Sequence, residues 1–493
     1  MSEKKYKILV VAEHEDEGRW TSIDHLLDSF KNYWKTYESF AEVEFLDQIT
    51  YPFIKEDLLR SIDKTHIVFL RLSVKETMYL QSVRSTVNSN AICVAYTEES
   101  PSIGFFNYKT LGLDKILRSD DVLVAQNMRD VDLIQNLTNL EARYIPCQSP
   151  LQPRSEIRPR EVKNFCYIGR YTNQKNIHTL FWAISLVAKE MRMANAKLYL
   201  WGMQDNYGSP NMAIPSGPYL EQLYQISIDM GVADLIEFRE FCFSKEELYE
   251  EVISVSPLMI SPSLHSDEDF GFTVLECLSQ GIPCLISNWG GYHQFIEDFK
   301  GSVFSIPVYK SEFGPFLFVT HMAEKMRELL GRSFEVPFHW SKKYETYELV
   351  DLESKNLRGM FKFSELALKI HRNAFISPQV RAGERQWPHH GIIYKGYNDP
   401  LSLEIFSYYG AERYLGEDDF SYQEKTSLVL APWCYKSGDE IVSDDYHRGQ
   451  FRIKVESGEF EIRTYQGELY TLAKTSLQRL LSVGALGLLD TSN

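Results

Sequence analysis

Two glutamates frame a short glycine-containing stretch, SDEDFGFTVLECLSQGIPC, just past the middle of the chain. Glu268 lies in its polar start, and Glu276 follows eight residues later inside an apolar run. A carboxylate buried in a helix is costly unless a partner uses it. Sugar and ribose hydroxyls are suitable partners, because a carboxylate accepts two hydrogen bonds from a vicinal diol. The alternative, a loop charge at Glu268 and an exposed helix residue at Glu276, is weakened by the apolar neighbours of Glu276.

The same stretch predicts a helix from Phe272 to Gln280. Gly281 ends it, and Pro283 follows at once, which is a usual helix stop. Gly271 then lies near the helix N-terminus, where N–H groups without a partner in the helix favour an anion.

A second candidate site follows the apolar run NFCYIGRYTNQKN. It ends in Gly169-Arg170, and Lys175 comes five residues after Arg170 at the start of a helical pattern. A glycine lets a turn approach a ligand closely, and an arginine and a lysine beside a helix N-terminus suit a diphosphate. The alternative interpretation is a pair of solvated loop charges.

Short apolar strands alternate with helical patterns through about three quarters of the chain, which predicts two doubly wound, mostly parallel sheets. Ligands of such sheets bind beyond the carboxyl ends of the strands, where both candidate sites lie. A charged segment with three prolines, 148–164, reads as the linker between the sheets. An aromatic helix face near the N-terminus (Phe30, Tyr33, Trp34, Tyr37) suggests core packing rather than membrane binding, because its charges are mixed.

The pattern changes after residue 373, where turn-rich and alternating segments predict an α+β appendage. QFRIKVESGEFEIRTYQGELYTLA predicts an antiparallel meander with turns at Ser457-Gly458 and Gln466-Gly467. TSLQRLLSVGALGLL predicts a closing helix. The aromatic residues of the appendage suit sugar stacking, although core packing is the favoured role: Trp387, Tyr394, Tyr397 and Trp433.

Composition restricts the class of protein. The 493 residues are 44% apolar and 24% charged, as in soluble globular proteins. The net charge of -16 disfavours general nucleic-acid binding. Seven cysteines without C-x-x-C spacing predict reduced, buried thiols. No apolar run reaches the length of a membrane span, and nothing near the start directs export, so we expect a cytoplasmic protein with at most peripheral membrane association.

These motifs, in this order, resemble retaining GT-B glycosyltransferases of the family-four type (glycosyl transferases group 1). That family carries G-R-x4-K, then P-S, then two glutamates eight residues apart around a G-F-G-like stretch, then G-G. Here these elements are Gly169-Arg170 with Lys175, Pro262-Ser263, Glu268 with Glu276, and Gly290-Gly291. The resemblance is specific in the second sheet and weak in the first.

The resemblance implies a fold, a domain division and roles. The fold would be α/β, with two Rossmann-like domains facing a cleft. Domain 1–150 would be the acceptor side, 160–345 the nucleotide-sugar domain, 346–372 helices that cross back to the first domain, and 373–493 the α+β appendage. Catalytic roles would fall to Glu268 at the donor sugar, and to Arg170 and Lys175 at the leaving diphosphate. Further donor contacts are implied for Glu276 at the ribose and for Gly169, Gly271, Phe272, Thr273 and Gly18.

The resemblance also implies that no metal and no tightly bound cofactor is needed. The donor would be a nucleotide sugar, a UDP-sugar first and a GDP-sugar second. The acceptor would be a hydroxyl of a glycan, a lipid-linked sugar, a protein or a small molecule, and the appendage could mediate oligomerisation. The FREF stretch near Phe238 corresponds to the base-contacting loop, with Glu240 in place of the usual glycine.

The sequence departs from the family pattern at several positions. The loop after the first strand has only Gly18 where paired glycines are usual, and Asp269 and Gln294 replace a glycine and a glutamate. His14, Arg19 and Glu98 are acceptor-side candidates, with surface loop charges as the favoured alternative. Asp267-Glu268-Asp269 resembles a D-x-D manganese motif of the other major glycosyltransferase fold, which would leave Arg170, Lys175 and Glu276 unexplained. A nucleotide-sugar epimerase or hydrolase and a silent sugar-nucleotide-binding scaffold remain as alternatives.

Overall fold

The computed structural model describes most of the chain in separate stretches: 6–11, 21–39, 41–46, 65–70, 74–86, 91–96, 116–119, 121–137, 140–154, 159–205, 218–240, 242, 244–265, 268–334, 406–414, 426–446 and 448–490. These residues fall into two units, one up to Pro150 and one from Leu151 onward. The helices predicted in 346–372 and the aromatic candidates Trp387, Tyr394 and Tyr397 lie outside the described residues.

The first unit is built on a parallel sheet with the order β2-β1-β3-β4-β5-β6. Its strands are β1 (Tyr6–Val11), β2 (Ala41–Leu46), β3 (Thr65–Phe69), β4 (Ile92–Tyr96), β5 (Val122–Ala125) and β6 (Glu141–Tyr144). Its helices are α1 (Thr21–Lys35), α2 (Val74–Thr86) and α3 (Met128–Leu137). The order reverses between β1 and β3, which makes the pair β1 and β3 the switch point of this sheet.

The aromatic face of α1 packs into the core of the first unit. Phe30, Trp34 and Tyr37 are almost completely buried. The indole Nε1 of Trp34 donates a hydrogen bond to the hydroxyl of Tyr96 at the end of β4, over 3.0 Å. This burial confirms the core-packing interpretation of the helix over the membrane-surface alternative.

A buried ion pair joins three elements of the first unit. Arg84 on α2 contacts Asp121, which precedes β5, over 2.5 Å, and both side chains are buried. Asp121 also accepts hydrogen bonds from the backbone N–H groups of Cys93 and Arg118, over 2.8 and 2.7 Å. Burial raises the pKa of the Asp121 carboxyl, and Arg84 acts in the opposite direction.

The second unit is built on another parallel sheet, with the order β10-β9-β8-β11-β12-β13. Its strands are β7 (Arg160–Glu161), β8 (Asn164–Ile168), β9 (Leu198–Trp201), β10 (Ile236–Arg239), β11 (Pro257–Ser261), β12 (Cys284–Ser287), β13 (Val303–Ile306), β14 (Val308–Ser311), β15 (Gly314–Leu317) and β16 (Ser333–Phe334). Counted from β8, the six strands of the parallel sheet have the order 3-2-1-4-5-6, which is that of dinucleotide-binding sheets. Two doubly wound parallel sheets confirm the predicted fold class.

The helices of the second unit are α4 (Ile177–Leu186), α5 (Ala188–Met193), α6 (Tyr219–Asp229), α7 (Lys245–Ser254), α8 (Phe272–Ser279), α9 (Tyr292–Asp298) and α10 (Val319–Leu329). The helix predicted from Phe272 to Gln280 is observed as α8, one residue shorter. The helical pattern that starts near Lys175 forms two helices, α4 and α5, because Val187 leaves helical geometry at φ −114° and ψ 12°.

The described residues of 406–490, which we call the C-terminal segment, belong to the second unit. Their elements are β17 (Ala411–Arg413), β18 (Thr426–Leu430), β19 (Cys434–Ser437), β20 (Glu440–Asp445), β21 (Gly449–Lys454), β22 (Phe460–Arg463), β23 (Leu469–Leu472), α11 (Lys474–Leu481) and β24 (Leu486–Asp490). They form the predicted α+β part. Strand β17 pairs with β14, and Gly487 lies so close to Trp182 of α4 that an added Cβ would stand 3.1 Å from the indole.

The predicted continuous meander was wrong. The turn at Gln466-Gly467 does join β22 and β23 as an antiparallel hairpin, but β21 pairs with β20 in a different sheet. The predicted closing helix ends at Leu481, and the chain then forms β24, which pairs with β18.

The cysteines carry no disulfide, and all except the half-buried Cys242 are buried, as predicted. Among the helices that the structure describes, none has the length and apolar character to cross a bilayer.

The substitution Asp121→Ala tests the buried ion pair of the first unit. It leaves the Arg84 guanidinium buried without a counter-charge, so the free energy of unfolding of this unit should fall by about 3–5 kcal/mol. Denaturant unfolding, followed by hydrogen exchange of peptides from β4 and β5, measures the change. Asn32→Ala on the exposed face of α1 is the control and should change it by less than about 0.5 kcal/mol. Equal effects of the two substitutions would contradict the assigned role of the pair.

Candidate functional site

The two candidate loops meet because β8 and β11 are neighbours in the second sheet. Cys166 of β8 is paired with Met259 of β11 in parallel register, so both strands end at the same edge. The strand order reverses between these two strands, which makes this the switch point where ligands of such sheets bind. The loop after β8 carries Arg170 and Lys175, and the loop after β11 leads to Glu268.

The centre of the site is an ion pair between Lys175 and Glu268. The Lys175 Nζ lies 2.6 Å from Glu268 Oε2, and the side chains are 17% and 8% exposed. The Ser263 hydroxyl donates a hydrogen bond to the same oxygen over 2.6 Å. The carboxylate is therefore charge-compensated and oriented before any ligand arrives, which is what a preorganised site requires.

Backbone contacts hold the two loops together. The backbone N–H of Leu264 donates to the carbonyl of Gln174 over 3.1 Å, and the Asn176 side-chain amide donates to the carbonyl of Pro262 over 3.2 Å. Asn176 has a left-handed backbone with φ 57°, a conformation that asparagine tolerates better than most residues. The position of Lys175 relative to Glu268 thus depends on a fixed loop pair and not on surface side chains alone.

The G-G pair after β12 supports Glu268 from the other side. The N–H of Gly291 donates to the carbonyl of Glu268 over 2.6 Å. A Cβ on Gly290 would lie 2.6 Å from that carbonyl oxygen, and Gly290 has a left-handed φ of 51°. Only glycine allows this close approach, so the G-G motif serves here to hold the Glu268 backbone.

Helix α8 directs its N-terminus toward the same edge of the sheet. Gly271 precedes the helix with φ 92°, and an added Cβ would lie 2.5 Å from the ring of Tyr292. Phe272 and Thr273 are half-buried, and the N–H groups of a first helical turn have no partner within the helix. Burial raises the pKa of Tyr292 well above its ordinary value, and the negative charge of Glu268 raises it further. The arrangement suits an anion beside Glu268.

Glu276 is buried one turn into α8, as its apolar neighbours predict. Lys245 at the start of α7 forms an ion pair with its carboxylate, and the Tyr249 hydroxyl donates to Glu276 Oε2 over 2.9 Å. Burial, with the neighbouring Cys277 and Glu276, raises the pKa of Tyr249 well above its ordinary value. Tyr249 is therefore a permanent donor, and the carboxylate keeps acceptor capacity for a further pair of hydroxyls.

Arg170 and Gly169 lie at the end of β8. Arg170 forms an ion pair with Asp205, which follows β9, and Asp205 is largely buried. Gly169 has φ 152°, and an added Cβ would lie 2.9 Å from the Tyr167 hydroxyl oxygen, so a side chain there would be strained. The structure thus joins Lys175 directly to Glu268, whereas Arg170 and Glu276 each have a partner of their own.

Other candidates have different outcomes. Phe238 on β10 stacks against Tyr224 with ring centroids 4.3 Å apart, and Glu240 is exposed. Trp433 is buried against Trp182 with ring centroids 5.3 Å apart, which favours its core-packing interpretation. Several candidates lie outside the described residues: Gly18, His14, Arg19, Glu98 and Asp267. Within the described ranges no cluster of His, Cys, Asp or Glu side chains is suited to a metal ion.

The sequence analysis missed the partners of the candidate residues: Asp205, Lys245 and Tyr249. A local signal existed for the last two. Ser244 caps α7 by accepting from the N–H of Glu247 over 3.3 Å, so Lys245 and Tyr249 stand one turn apart on one helix face. Nothing in the sequence indicates that this face meets Glu276.

The family described as Glycosyl transferases group 1 has a sequence model that matches residues 149–312. This segment contains β8 to β13 and all the described candidate residues of the donor site. The match confirms the resemblance that the ordered motifs predict.

Curated relatives cover less of the chain. A mannosylfructose-phosphate synthase of Agrobacterium fabrum is 24% identical over 247 residues, which are 47% of this chain and 51% of that protein. A sucrose synthase of Denitrovibrio acetiphilus is 31% identical over 96 residues, which are 20% of this chain and 11% of that protein. The chain therefore spans about half the length of the first relative and less of the second.

Solved structures were also compared. A lipopolysaccharide outer core galactosyltransferase in its apo form is 15% identical and covers 73% of this chain and 99% of its own, with a TM-score of 0.44. An Anabaena protein solved with UDP and glucose is 13% identical and covers 74% and 99%, with a TM-score of 0.43. The assignment of the fold depends on the strand orders of the two sheets and not on these low TM-scores.

The substitution Gly271→Ala tests the N-terminus of α8 as an anion site. Alanine adds left-handed strain and a clash with the Tyr292 ring, so the helix start must move and nucleoside diphosphate binding should weaken roughly tenfold or more. Gly301→Ala is a matched control, because Gly301 has φ 91° and open space around an added Cβ. It should cost about 1–2 kcal/mol of stability from backbone strain and leave binding unchanged. Calorimetric titration with UDP and GDP measures the affinity of each variant, and thermal unfolding measures its stability. Equal affinities in Gly271→Ala and Gly301→Ala would contradict the assigned anion site.

Proposed function

We propose that this protein is a retaining glycosyltransferase that moves a sugar from a nucleoside-diphosphate sugar to an acceptor hydroxyl. The observation that carries the proposal is the Lys175–Glu268 pair at the switch point, beside the N-terminus of α8. The family match to residues 149–312 supports the same class of reaction. The names of the curated relatives, mannosylfructose-phosphate synthase and sucrose synthase, agree with chemistry on sugars.

The geometry suits a donor whose diphosphate lies over Lys175 and the first turn of α8. Negative charge grows on the leaving diphosphate as its bond to the sugar breaks, and fixed cations and amide dipoles stabilise that charge. Lys175 and Arg170 supply the cations, and the N–H groups of Phe272 and Thr273 supply the dipoles. Glu268 accepts hydrogen bonds from the sugar hydroxyls, and Glu276 accepts them from the ribose.

Donor binding would redistribute the charges of the site. In the structure each of the cations Lys175, Arg170 and Lys245 faces a carboxylate. An incoming diphosphate brings negative charge to Lys175, and the sugar hydroxyls then take over hydrogen bonding to Glu268. The diphosphate thus supplies the counter-charge of Lys175, and the sugar hydroxyls supply hydrogen bonds to Glu268. Neither buried group is left without a partner when the ion pair separates.

The configuration at the anomeric carbon is retained if the acceptor attacks that carbon from the face that the diphosphate leaves. The bond between the anomeric carbon and the phosphate oxygen breaks, and the bond from that carbon to the acceptor oxygen forms on the same face. The acceptor proton passes to the departing phosphate oxygen. In this scheme the substrate phosphate is the base, and the protein has to hold the diphosphate and the sugar in position.

The test is a panel of UDP-, GDP-, ADP- and dTDP-sugars without acceptor, with a UDP-sugar as the expected donor. A donor that binds the folded state raises the melting temperature, and slow release of nucleoside diphosphate reports turnover. Glu268→Gln and Lys175→Met should lower that release roughly 100-fold. Lys197→Ala is the matched control, because Lys197 forms a comparable pair with Glu237 over 3.1 Å at the opposite, amino end of β9.

The outcomes separate the alternatives. Loss of release in both site variants, with the control unchanged, supports the transferase and opens a search for its glycan or other hydroxyl acceptor. Rapid release of a free, altered sugar by the unmodified protein would instead indicate an epimerase or hydrolase. Binding of a nucleotide sugar without any release would indicate the silent sugar-nucleotide-binding scaffold, and absence of binding by every nucleotide sugar would contradict the proposed donor site.

A further inference from the structure

The C-terminal segment contacts the loop that carries Lys175. Asn173, fully buried between Arg170 and Lys175, donates from its side-chain Nδ2 to the backbone carbonyl of Tyr446 over 2.7 Å. Its Oδ1 is occupied by the N–H of Gln174 over 2.9 Å, which determines the orientation of the amide group. The Lys175 loop is thereby attached to the turn between β20 and β21.

A second contact involves His178, on the first turn of α4 and fully buried. The Tyr219 hydroxyl accepts from the backbone N–H of His178 over 3.1 Å and lies 2.8 Å from His178 Nδ1, so Nε2 is the ring nitrogen left to face the C-terminal segment. Nε2 lies 3.5 Å from Asp445 Oδ1, which is an electrostatic contact with a carboxylate of that segment.

Asp445 is itself rigidly held. Arg448 donates to Asp445 Oδ2 from Nε and Nη2, over 3.1 and 2.8 Å, and from Nη1 to the carbonyl of Val483 over 2.6 Å. The Arg448 guanidinium lies 5.2 Å from the ring centroid of Phe451, and the ion pair is almost completely buried. The turn that contacts the Lys175 loop is therefore a fixed part of the C-terminal sheets.

The C-terminal segment also contacts the loop that holds Glu268. The N–H of Gly290 donates to the carbonyl of Tyr409 over 3.1 Å. Trp289 packs on Tyr409 and Phe406, with ring centroids 5.1 and 5.8 Å apart. Lys175 thus lies on a loop that is attached to residues 406–448, and Glu268 contacts a second loop, the G-G turn after β12, that is attached to the same segment.

We propose that the C-terminal segment is a positioning element of the donor site, which holds the Lys175 loop through Asn173 and through the His178–Asp445 contact. The inference rests on the proposed function for its catalytic consequence, since Lys175 is placed there at the leaving diphosphate. Its structural part, the restraint of residues 170–178 by Asp445 and Tyr446, stands apart from any reaction.

Two isosteric substitutions of His178 separate positioning from simple packing. A glutamine places an amide N–H near the position of Nε2, and an asparagine places an amide group near Nδ1. His178→Gln keeps a donor toward Asp445, whereas His178→Asn keeps only the partner of Tyr219. His178→Asn should therefore lower kcat for donor turnover roughly 10–100-fold with little change in KM. His178→Gln should retain most of the kcat of the unmodified protein.

Hydrogen exchange supplies a readout that does not depend on turnover. Residues 170–178 should exchange roughly three- to tenfold faster in His178→Asn than in His178→Gln, as expected for the loss of one buried polar contact. Tyr465→Phe is the matched control. It removes a hydrogen bond of 2.6 Å to Ser185, between the same segment and the far end of α4, and should change neither the loop exchange nor kcat.

Each outcome decides one of the two proposals. Faster loop exchange in His178→Asn alone supports the positioning role, even if no nucleotide sugar is turned over and the proposed function fails. Equal exchange and equal kcat in both His178 variants would overturn the positioning role while leaving turnover by the unmodified protein intact. Asn173→Ala repeats the test through the Tyr446 contact if the His178 variants fold poorly. It should also raise loop exchange, and unchanged exchange would count against the proposal.

Discussion

The candidate site depends on the adjacency of β8 and β11 at the reversal of strand order. Parallel strands that are neighbours end at the same edge, so the loops that follow them meet even though about ninety residues separate Lys175 from Glu268. A strand inserted between β8 and β11 would leave both loops at this edge but would separate them by about 5 Å more, which breaks their direct contact. The ion pair, the Ser263 hydrogen bond and the approach of the G-G turn all follow from this adjacency.

Burial makes that adjacency chemically useful. A carboxylate as buried as Glu268 must be compensated, and the structure does so with one ammonium and one hydroxyl. The same solution recurs at Glu276, where Lys245 and Tyr249 take these roles. Each glutamate therefore presents oriented acceptor oxygens in a place where water is scarce, which is the condition for strong hydrogen bonds to hydroxyl groups. Two glutamates of different sequence context thus reach similar environments through different partners.

Much of this was predictable from the sequence because it is local. Apolar runs marked β8 and β11, helix stop signals marked the end of α8, and the apolar neighbours of Glu276 indicated its burial. The partners Asp205 and Lys245 were not predictable, because their contacts depend on strand order and not on spacing. The meander failed for a related reason. The sequence suggested that Gly458 belongs to a hairpin turn. In the structure a Cβ added to Gly458 would lie 2.5 Å from Ala473, so the glycine is required by tertiary packing, which the sequence pattern does not show.

The C-terminal segment shows how a change of sequence pattern can mislead about independence. Its alternating strands differ from the doubly wound part, which suggested an appendage. Yet Gly484 lies so close to Phe316 that an added Cβ would be 2.3 Å from the ring, and Leu488 donates to the Thr320 hydroxyl over 2.9 Å. Such close packing transmits small displacements, because interiors are dense and compress little. A segment packed this tightly, and hydrogen-bonded to the Lys175 loop and to the G-G turn that supports Glu268, shares in setting the distance between Lys175 and Glu268.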